Sequence, residues 1–194
     1  MLSDNLSWSP HIHAICSKAR QIIGLLYRRF YNFSNSDTLI QLYTSLVRPH
    51  LEYACPVWSP HLAKDIQEIE RVQAFACRMA THTWRANYQE LQSIIKIPTL
   101  ERRRLELKLG HLFKIIHNLC FFPEGVFCYR EQTPLVTSTR SAHSLTLVQL
   151  FAHTNSYLYS FVPHTISCWN SLPEELVTSS SLTTFKSKLH VHNF

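Results

Sequence analysis

Four basic residues recur at intervals of seven in the middle of the chain: Lys64, Arg71, Arg78 and Arg85. Seven residues are nearly two helical turns, so on a helix the four side chains drift by only about 20° per step and share one face. A helix with an apolar stripe in the core and cationic groups outside can follow a phosphate backbone. The spacing therefore predicts a nucleic-acid contact, although an ordinary solvated polar face explains the same pattern.

Two further basic stretches accompany this row. They comprise Lys18, Arg20, Arg28 and Arg29 in the first, and Arg102, Arg103, Arg104, Lys108 and Lys114 in the second. Aromatic residues lie within the first stretch, and rings among basic residues can stack on unpaired bases. Because most aromatic residues at helical spacing belong to a core, we predict that Phe30 is buried and that only Tyr27 or Tyr31 serves as a stacking platform.

The carboxylates argue against catalysis on phosphodiesters. Two-metal polymerases and nucleases need several carboxylates around metals that lie within about 4 Å of each other. This sequence has three aspartates, at positions 4, 37 and 65, and none is adjacent to another. No serine stands in a G-x-S-x-G motif, and the three glycines at 24, 110 and 125 form no phosphate-binding loop. We predict that the protein is not an enzyme and uses no cofactor.

Histidine and cysteine are frequent, at 12 and six residues. The combinations considered as metal ligands are His11 with His13, and His111 and His117 with Cys120 and Cys128. Neither has the paired short spacing of a zinc site, so no metal is predicted. No signal peptide or membrane-spanning run is recognised. Reduced, buried cysteines in an intracellular protein, nuclear or cytoplasmic and not secreted, are therefore expected.

The net charge of +6 is unevenly distributed. Residues 1–119 contain 15 Lys/Arg and nine Asp/Glu, whereas residues 120–194 contain four of each. A basic surplus confined to one segment predicts a surface that faces a polyanion, with nucleic acid first and acidic lipid second.

Five helical patterns precede residue 119. Their start signals are Ser9-Pro10, Asn35 to Asp37, Ser59-Pro60, Asn87 with Glu90, and Pro98-Thr99. Such residues cap helix N-termini or occupy the first turn, and apolar residues follow each of them with a helical period. Pro49 is expected to interrupt the second helix. The predicted fold class is mainly α, with a helical bundle of about five helices.

The pattern changes after residue 119. Residues 120–145 lack periodicity and are rich in Ser, Thr and Pro, which predicts a loop or linker. Alternation at Tyr157, Tyr159 and Phe161, after a strand-like stretch at 146–152, predicts a small β-hairpin that turns at residues 153–155. C-terminal helices are expected at about 163–172 and 182–190. The predicted domains are the basic bundle (1–119), the linker (120–145), and the hairpin with short helices (146–194).

Eight stretches, in chain order, resemble the C-terminal part of non-LTR (LINE-type) retrotransposon reverse transcriptases. They are DNLSWSPHI (4–12), KARQIIGLL (18–26), LYTSLVRPHLEYA (42–54), PVWSP (56–60), IERVQ (69–73), LERRRL (100–105), FVPHTISCWNSLPEE (161–175) and FKSKL (185–189). In that family this region follows the fingers and palm. Its early helices form the thumb, which grips the template–primer duplex, and the rest is a tail. The resemblance therefore implies a thumb-like role for residues 1–119 and a C-terminal tail at 146–194.

The resemblance implies nucleic-acid contact without catalysis. The family's catalytic residues lie in a palm motif that ends in paired aspartates, and nothing here matches it. The matched stretches add Arg48 to the basic residues already named. The predicted nucleic-acid-binding residues are Lys18, Arg20, Arg28, Arg29, Arg48, Lys64, Arg71, Arg78, Arg85, Arg102, Arg103, Arg104 and Lys108.

Two functions remain open from the sequence. The leading one is a non-catalytic remnant of a retrotransposon reverse transcriptase that binds RNA or an RNA–DNA hybrid through phosphate contacts, with low specificity and no membrane. The alternative is a truncated fragment that acts as a protein-interaction or self-associating module. A thumb without its palm exposes apolar surface, for which Tyr53, Val57 and Trp58 are the candidates, and this surface would contact a palm domain or a second copy.

Overall fold

The computed structural model describes residues 7–32, 35–123, 125–129 and 143–192. Within these ranges the chain is mainly helical, which confirms the predicted helical character. The elements are α1 (Ser9–Phe30), α2 (Ser36–Leu42), a π-helix π1 (Tyr43–Val47), α3 (Arg48–Glu52), α4 (Cys55–Trp58), α5 (Ala63–Thr81), α6 (Tyr88–Ile95), α7 (Leu100–Ile116), α8 (Asn155–Leu158), α9 (Phe161–Asn170), α10 (Glu174–Val177) and α11 (Leu182–Val191). No helix in these ranges is both long enough and apolar enough to cross a membrane.

The chain divides into two compact units on either side of the Arg104–Leu105 bond, within α7. This division lies earlier than residue 119, where the predicted bundle ends, because Leu109, Leu112 and Phe113 of α7 pack into the core of the second unit. Most of the predicted linker, residues 130–142 together with residue 124, lies outside the described residues.

The first unit is organised by α1 and α5. On α1 the apolar residues at helical spacing are buried, namely Ile12, Cys16, Ala19, Ile23 and Leu26. On α5 the buried apolar residues include Ile69, Val72, Ala76 and Met79. Both sets have the helical period of apolar residues that was predicted from the sequence. Burial of one apolar face therefore explains why these two segments are helical.

The glycine in the middle of α1 lies in open space. A Cβ at Gly24 would meet no atom within 4 Å, and glycine in a helix interior destabilises it by roughly 0.5–1 kcal/mol relative to alanine. We therefore expect Gly24→Ala to raise the free energy of unfolding by about 0.5–1 kcal/mol, measured by urea denaturation. Gly110→Ala in α7 serves for comparison. Its Cβ would lie in ordinary van der Waals contact, 3.6 Å from the Lys186 side chain, so a gain of similar size is expected there. A loss of stability in Gly24→Ala would contradict this account.

Pro49 is accommodated within helical structure rather than interrupting it. The Asn35 side chain caps α2 by accepting a hydrogen bond from the Thr38 N–H at 2.9 Å. The chain then widens into π1, in which the Arg48 N–H bonds to the Tyr43 carbonyl, and Pro49 falls in the first turn of α3. Proline is tolerated there because the first N–H groups of a helix have no intrahelical partner.

A buried polar network joins α5 to the starts of α6 and α7. The Tyr43 hydroxyl donates to Gln73 at 2.8 Å. The Gln73 amide donates to the Tyr88 hydroxyl at 2.8 Å and to the Pro98 carbonyl at 2.9 Å. The Tyr88 hydroxyl in turn donates to Glu70 at 2.6 Å. Because these groups satisfy one another, the network specifies how π1, α5 and the starts of α6 and α7 meet.

The predicted capping box at the start of α6 is confirmed. The Asn87 side chain accepts from the Glu90 N–H at 2.9 Å, and the Glu90 carboxylate accepts from the Asn87 N–H at 3.0 Å. Both residues are polar and exposed, so the local pairing alone defines where this helix begins.

The second unit has its own core. It contains Leu109, Leu112, Phe113, Leu147, Ile166, Trp169, Leu172, Leu176, Val177, Phe185 and Leu189. The rings of Phe113 and Phe185 stack with centroids 4.5 Å apart. Asn170 holds the extended segment at Leu147 by accepting from its N–H at 3.0 Å and donating to its carbonyl at 2.8 Å. The tail is thus built on α7 and α9 to α11.

The predicted β-hairpin is wrong. The described residues contain no strand, and the only β-pairing among them is an isolated bridge between Tyr129 and Leu147. Thr154, predicted to lie in the turn, instead caps α8 by accepting from the Tyr157 N–H at 3.3 Å. Of the alternating residues, Tyr157 and Tyr159 are exposed, and Phe161 is half-buried at the start of α9. Their alternation therefore marks no buried face, and the local cap favours a helical turn.

Candidate nucleic-acid interface

Helices α1 and α5 run side by side in the same direction. The Ser9 hydroxyl donates to Asp65 at 2.7 Å, and His13 lies 3.1 Å from Glu68. Farther along both segments, the ring of Tyr31 lies 4.4 Å from that of His82, the residue that follows α5. Residue numbers therefore increase together in the two segments, and one surface extends along both.

On α1, the residues beside α5 form a stripe. The stripe consists of His13, Arg20, Gly24, Tyr27 and Tyr31. The intervals between them are seven, four, three and four residues, which place them on one face of a helix. Arg20 and His13 both approach Glu68 of α5, Arg20 at 3.6 Å. The stripe thus borders α5 from its first turns to its end.

The predicted basic row on α5 is shorter than expected. Lys64 and Arg71 are exposed on this helix, and Arg78 is half-buried with its Nε donating to the Ala86 carbonyl at 3.3 Å. Arg85 lies beyond the helix, because α5 ends at Thr81 and the next residue adopts a left-handed conformation. The seven-residue spacing therefore gives three basic residues on one helix face and one in the turn that follows.

An exposed aromatic cluster occupies the end of this surface. It consists of Tyr27, Tyr31, Phe75, His82 and Trp84. Tyr27 lies 4.4 Å from Tyr31 and 6.1 Å from Trp84, between ring centroids. Phe75 lies 5.8 Å from Trp84. The Trp84 Nε1 also donates to the Tyr31 hydroxyl at 3.3 Å, which ties the turn after α5 to the end of α1.

The two chain segments that contain the aromatic cluster carry basic residues and no acidic ones. Residues 20–32 and 71–89 contain three arginines each and no Asp or Glu. Arg28, Arg71 and Arg85 are exposed, and among the described residues they form no ion pair. We call the residues of this region the α1–α5 surface: Arg20, Gly24, Tyr27 and Arg28 of α1 with Tyr31 directly after it, Lys64, Arg71, Phe75 and Arg78 of α5, and His82, Trp84 and Arg85 of the following turn.

Two of the predicted binding residues are buried, and their prediction is corrected here. The side chain of Arg104 is 2% exposed and lies 3.9 Å from Glu70. Burial lowers the pKa of Arg104, and the negative charge of Glu70 opposes that shift. Lys108 is also buried. A cation without accessible surface cannot contact a phosphate, so Arg104 and Lys108 do not belong to an interface.

The other predicted basic residues lie at the surface to different degrees. Arg103 forms two hydrogen bonds with Glu52, the Nη2 contact at 3.0 Å, and Arg48 approaches the same carboxylate at 3.9 Å. Both arginines therefore already have an anionic partner.

The remaining predicted residues differ in exposure: Arg102 is half-buried, whereas Lys18 and Arg29 are exposed. On α1, Lys18 and Arg29 are offset from the Tyr27 stripe by about half a turn, so they face away from the α1–α5 surface.

The aromatic predictions are partly corrected. Phe30, predicted to be buried, is 40% exposed, because it lies in the last turn of α1, beyond the buried stripe that ends at Leu26. Tyr27 is exposed and Tyr31 is half-buried. Phe75, His82 and Trp84 were not predicted, because only the folded chain brings them to Tyr27. The lack of acidic residues from 71 to 89 is the signal in the sequence that could have pointed to this segment.

The cysteines and histidines form no reactive site in the described residues. No group of three His, Cys, Asp or Glu residues there has a metal-binding arrangement. Burial raises the pKa of Cys16 and of Cys77 to about 12. All six cysteines are free; three are buried as predicted, but Cys128 is exposed. Thiols with raised pKa values are protonated at neutral pH and are poor nucleophiles.

One Cys–His pair that the sequence did not indicate is present in the second unit. The Cys168 Sγ lies 3.9 Å from the His164 Nδ1, one helical turn apart on α9. Burial lowers the pKa of His164 to about 4 and raises the pKa of Cys168. Both groups are therefore neutral at physiological pH, which is the opposite of a thiolate–imidazolium pair.

The α1–α5 surface offers guanidinium groups suited to phosphate oxygens and aromatic rings suited to flat partners. Its basic residues come from two helices and the turn after α5. A hydrogen bond from Arg78 to the Ala86 carbonyl and one from Trp84 to the Tyr31 hydroxyl hold these segments together. Comparison of the chain with protein-family models, with curated proteins and with solved structures found no match.

Proposed function

We propose that this protein is a non-catalytic, thumb-like piece of a non-LTR retrotransposon reverse transcriptase that binds RNA or an RNA–DNA hybrid through phosphate contacts. The observation that carries the proposal is the α1–α5 surface, where Arg28, Arg71 and Arg85 are exposed and residues 20–32 and 71–89 contain no Asp or Glu. Glu68, just before the second of these segments, is paired with Arg20 and His13. The resemblance of the sequence to the C-terminal part of these reverse transcriptases supports it.

The geometry of α5 suits a regular anionic partner. Residues seven positions apart on a helix are separated by about 10.5 Å along its axis. Phosphates along one strand are roughly 3.4 Å apart along the axis of B-form DNA, and they are closer together in the A-like duplexes that RNA forms. Neighbouring basic residues on α5 would therefore meet phosphates about three or four positions apart. Such contacts read the backbone and not the bases. The proposed binding is therefore weak and independent of sequence.

Binding of this kind depends steeply on salt. Each neutralised phosphate releases counterions, so that the logarithm of the affinity falls by about 0.9 per contact for each tenfold rise in salt. With contacts from Arg28, Arg71 and Arg85, we expect the affinity for a labelled RNA–DNA hybrid to fall by about 40-fold between about 50 and 200 mM salt. The measurement is fluorescence anisotropy at several salt concentrations.

The slope of the logarithm of the affinity against the logarithm of the salt concentration also identifies the contacts. Arg85→Gln should lower it by about 0.9, whereas Lys186→Gln, an exposed lysine of the second unit, should leave it unchanged. No binding at low salt by a folded sample would refute the proposed function. Binding that does not respond to salt would show that phosphate contacts are not responsible for it.

The alternative is a protein-interaction module. It is favoured by apolar side chains exposed in the first unit, of which Tyr53 is 82% and Val57 66% exposed. Trp58, the third candidate, is buried and its Nε1 donates to the Tyr53 carbonyl at 2.7 Å. Sedimentation velocity across a range of concentrations tests this function. Self-association that Tyr53→Ser and Val57→Ser abolish, together with the absence of salt-dependent RNA binding, would favour it.

A further inference from the structure

We propose that the aromatic cluster of Tyr27, Tyr31, Phe75, His82 and Trp84 is a stacking site for unpaired bases of single-stranded RNA. This inference rests on the proposed function, since the arginines would hold the backbone, and it adds a second mode of contact. Phosphate contacts alone do not distinguish a duplex from a single strand, whereas stacking does.

The cluster differs from the aromatic residues of the two cores. Tyr43 and Phe113 are completely enclosed. By contrast, Tyr27, Phe75 and Trp84 are 38%, 40% and 44% exposed, although the rings of Tyr27 and Phe75 both contact Trp84. An exposed group of aromatic rings is costly to leave in water and commonly marks a binding surface.

The polar surroundings indicate the kind of occupant. Arg28 follows Tyr27, Arg85 follows Trp84, and Arg78 lies one helical turn after Phe75. Because residues 20–32 and 71–89 include no acidic side chain, the partner that complements this region is anionic and also presents flat, apolar faces. A single-stranded nucleic acid combines both properties, with phosphates for the arginines and base faces for the rings.

A duplex does not offer those base faces. In a paired helix each base is stacked between its neighbours, so that proteins contact the backbone and the groove edges. Unstacked bases of a single strand are free to lie on a tyrosine or tryptophan ring. The aromatic cluster therefore favours unpaired nucleotides, while the arginines serve single strands and duplexes alike.

The rings are held in position before any ligand binds. The hydrogen bond from Trp84 Nε1 to the Tyr31 hydroxyl, at 3.3 Å, joins the two segments. The bond from Arg78 Nε to the Ala86 carbonyl, also at 3.3 Å, secures the turn that carries Trp84. A platform fixed in this way loses little conformational freedom on binding.

The test compares two probes with the full chain. One is a labelled single-stranded RNA of roughly 12 nucleotides, within the usual site size of such proteins. The other is the same RNA paired with complementary DNA. We expect Trp84→Leu and Tyr27→Leu each to weaken single-stranded binding by about tenfold or more and hybrid binding by less than about twofold. Trp84→Phe, which keeps an aromatic face, should retain most of the affinity for the single strand.

Controls separate this inference from the proposed function. Phe121→Leu alters a ring that is 93% exposed in the second unit and should leave the affinity for both probes unchanged. Circular dichroism checks that each variant is folded. If Arg71→Glu weakens both probes while Trp84→Leu weakens neither, the stacking site is refuted and the proposed function stands. Equal losses for both probes in Trp84→Leu, or a Trp84→Phe variant as weak as Trp84→Leu, also refute the stacking site. If the wild-type protein binds neither probe, both proposals fail.

Discussion

Replacing Arg71 and Arg85 together by glutamate is expected to lower the affinity for an RNA–DNA hybrid by about 200-fold at about 50 mM salt. Both arginines are exposed and without an ion pair among the described residues. At this salt concentration, counterion release makes each phosphate contact worth about 15-fold in affinity. The two losses multiply, and the new carboxylates add repulsion. Anisotropy titration of the double variant measures the effect.

The choice of residues follows from the structure. From the spacing alone, Arg71 and Arg78 were the natural pair to reverse, but the Nε of Arg78 holds the Ala86 carbonyl. Reversing Arg78 would therefore disturb the turn as well as remove a charge. Arg71 and Arg85 make no such contact among the described residues, so their reversal tests charge alone.

A matched double variant makes the same change in net charge elsewhere. Lys18 and Arg29 lie exposed on α1, offset by about half a turn from the Tyr27 stripe. Lys18→Glu with Arg29→Glu should lower hybrid affinity by less than about threefold, because exposed charges that face away from the bound strand are screened at this salt concentration. Equal losses in the two double variants would indicate a response to total charge, and the α1–α5 surface would then not be the binding site.

Local signals in the sequence predicted most of the first unit. The Asn87–Glu90 capping box begins α6, and the apolar period of α1 matches its buried side. Such features depend on residues three or four positions apart, and the same residues interact in the folded chain. At Pro49 the local rule was insufficient, because a π-helical turn immediately before it keeps the chain helical.

The candidate interface could be predicted only in part. Its charges are visible in the sequence, but exposure depends on tertiary contacts. Arg103 and Arg104 are neighbours in one basic run, yet one pairs with Glu52 and the other is buried beside Glu70. The aromatic cluster joins α1 to a turn more than 50 residues later, between Tyr31 and Trp84. No periodicity within a single helix indicates such a pairing.

Glu70 is expected to be the side chain on which the first unit depends most. Its carboxylate accepts hydrogen bonds from the N–H groups of Leu100 at 3.3 Å and Glu101 at 2.7 Å, and from the Tyr88 hydroxyl at 2.6 Å. It thus caps α7 from a distant helix and also compensates the charge of Arg104, 3.9 Å away. The negative charge of Glu70 and its hydrogen bond contribute, after burial, to raising the pKa of Tyr88.

We expect Glu70→Ala to lower the free energy of unfolding by about 3–5 kcal/mol, because it leaves the buried guanidinium of Arg104 uncompensated and the first N–H groups of α7 without their cap. Urea denaturation followed by circular dichroism measures the change. Glu68→Ala is the matched control on the same helix. Its partners His13 and Arg20 are exposed, so the control should cost less than about 1 kcal/mol.

A second variant distinguishes the charge of Arg104 from the cap. In Arg104 the Nη1 and Nη2 atoms are buried without a hydrogen-bond partner, so its guanidinium gains little from its surroundings beyond the attraction of Glu70. Arg104→Met keeps the volume and leaves Glu70 with its three hydrogen bonds. We therefore expect Arg104→Met to cost clearly less than Glu70→Ala, since a well-packed apolar residue often replaces a buried ion at little cost. If Arg104→Met lowered the free energy of unfolding as much as Glu70→Ala or more, the guanidinium, and not the capping carboxylate, would be the group that stabilises the contact between α5 and the start of α7.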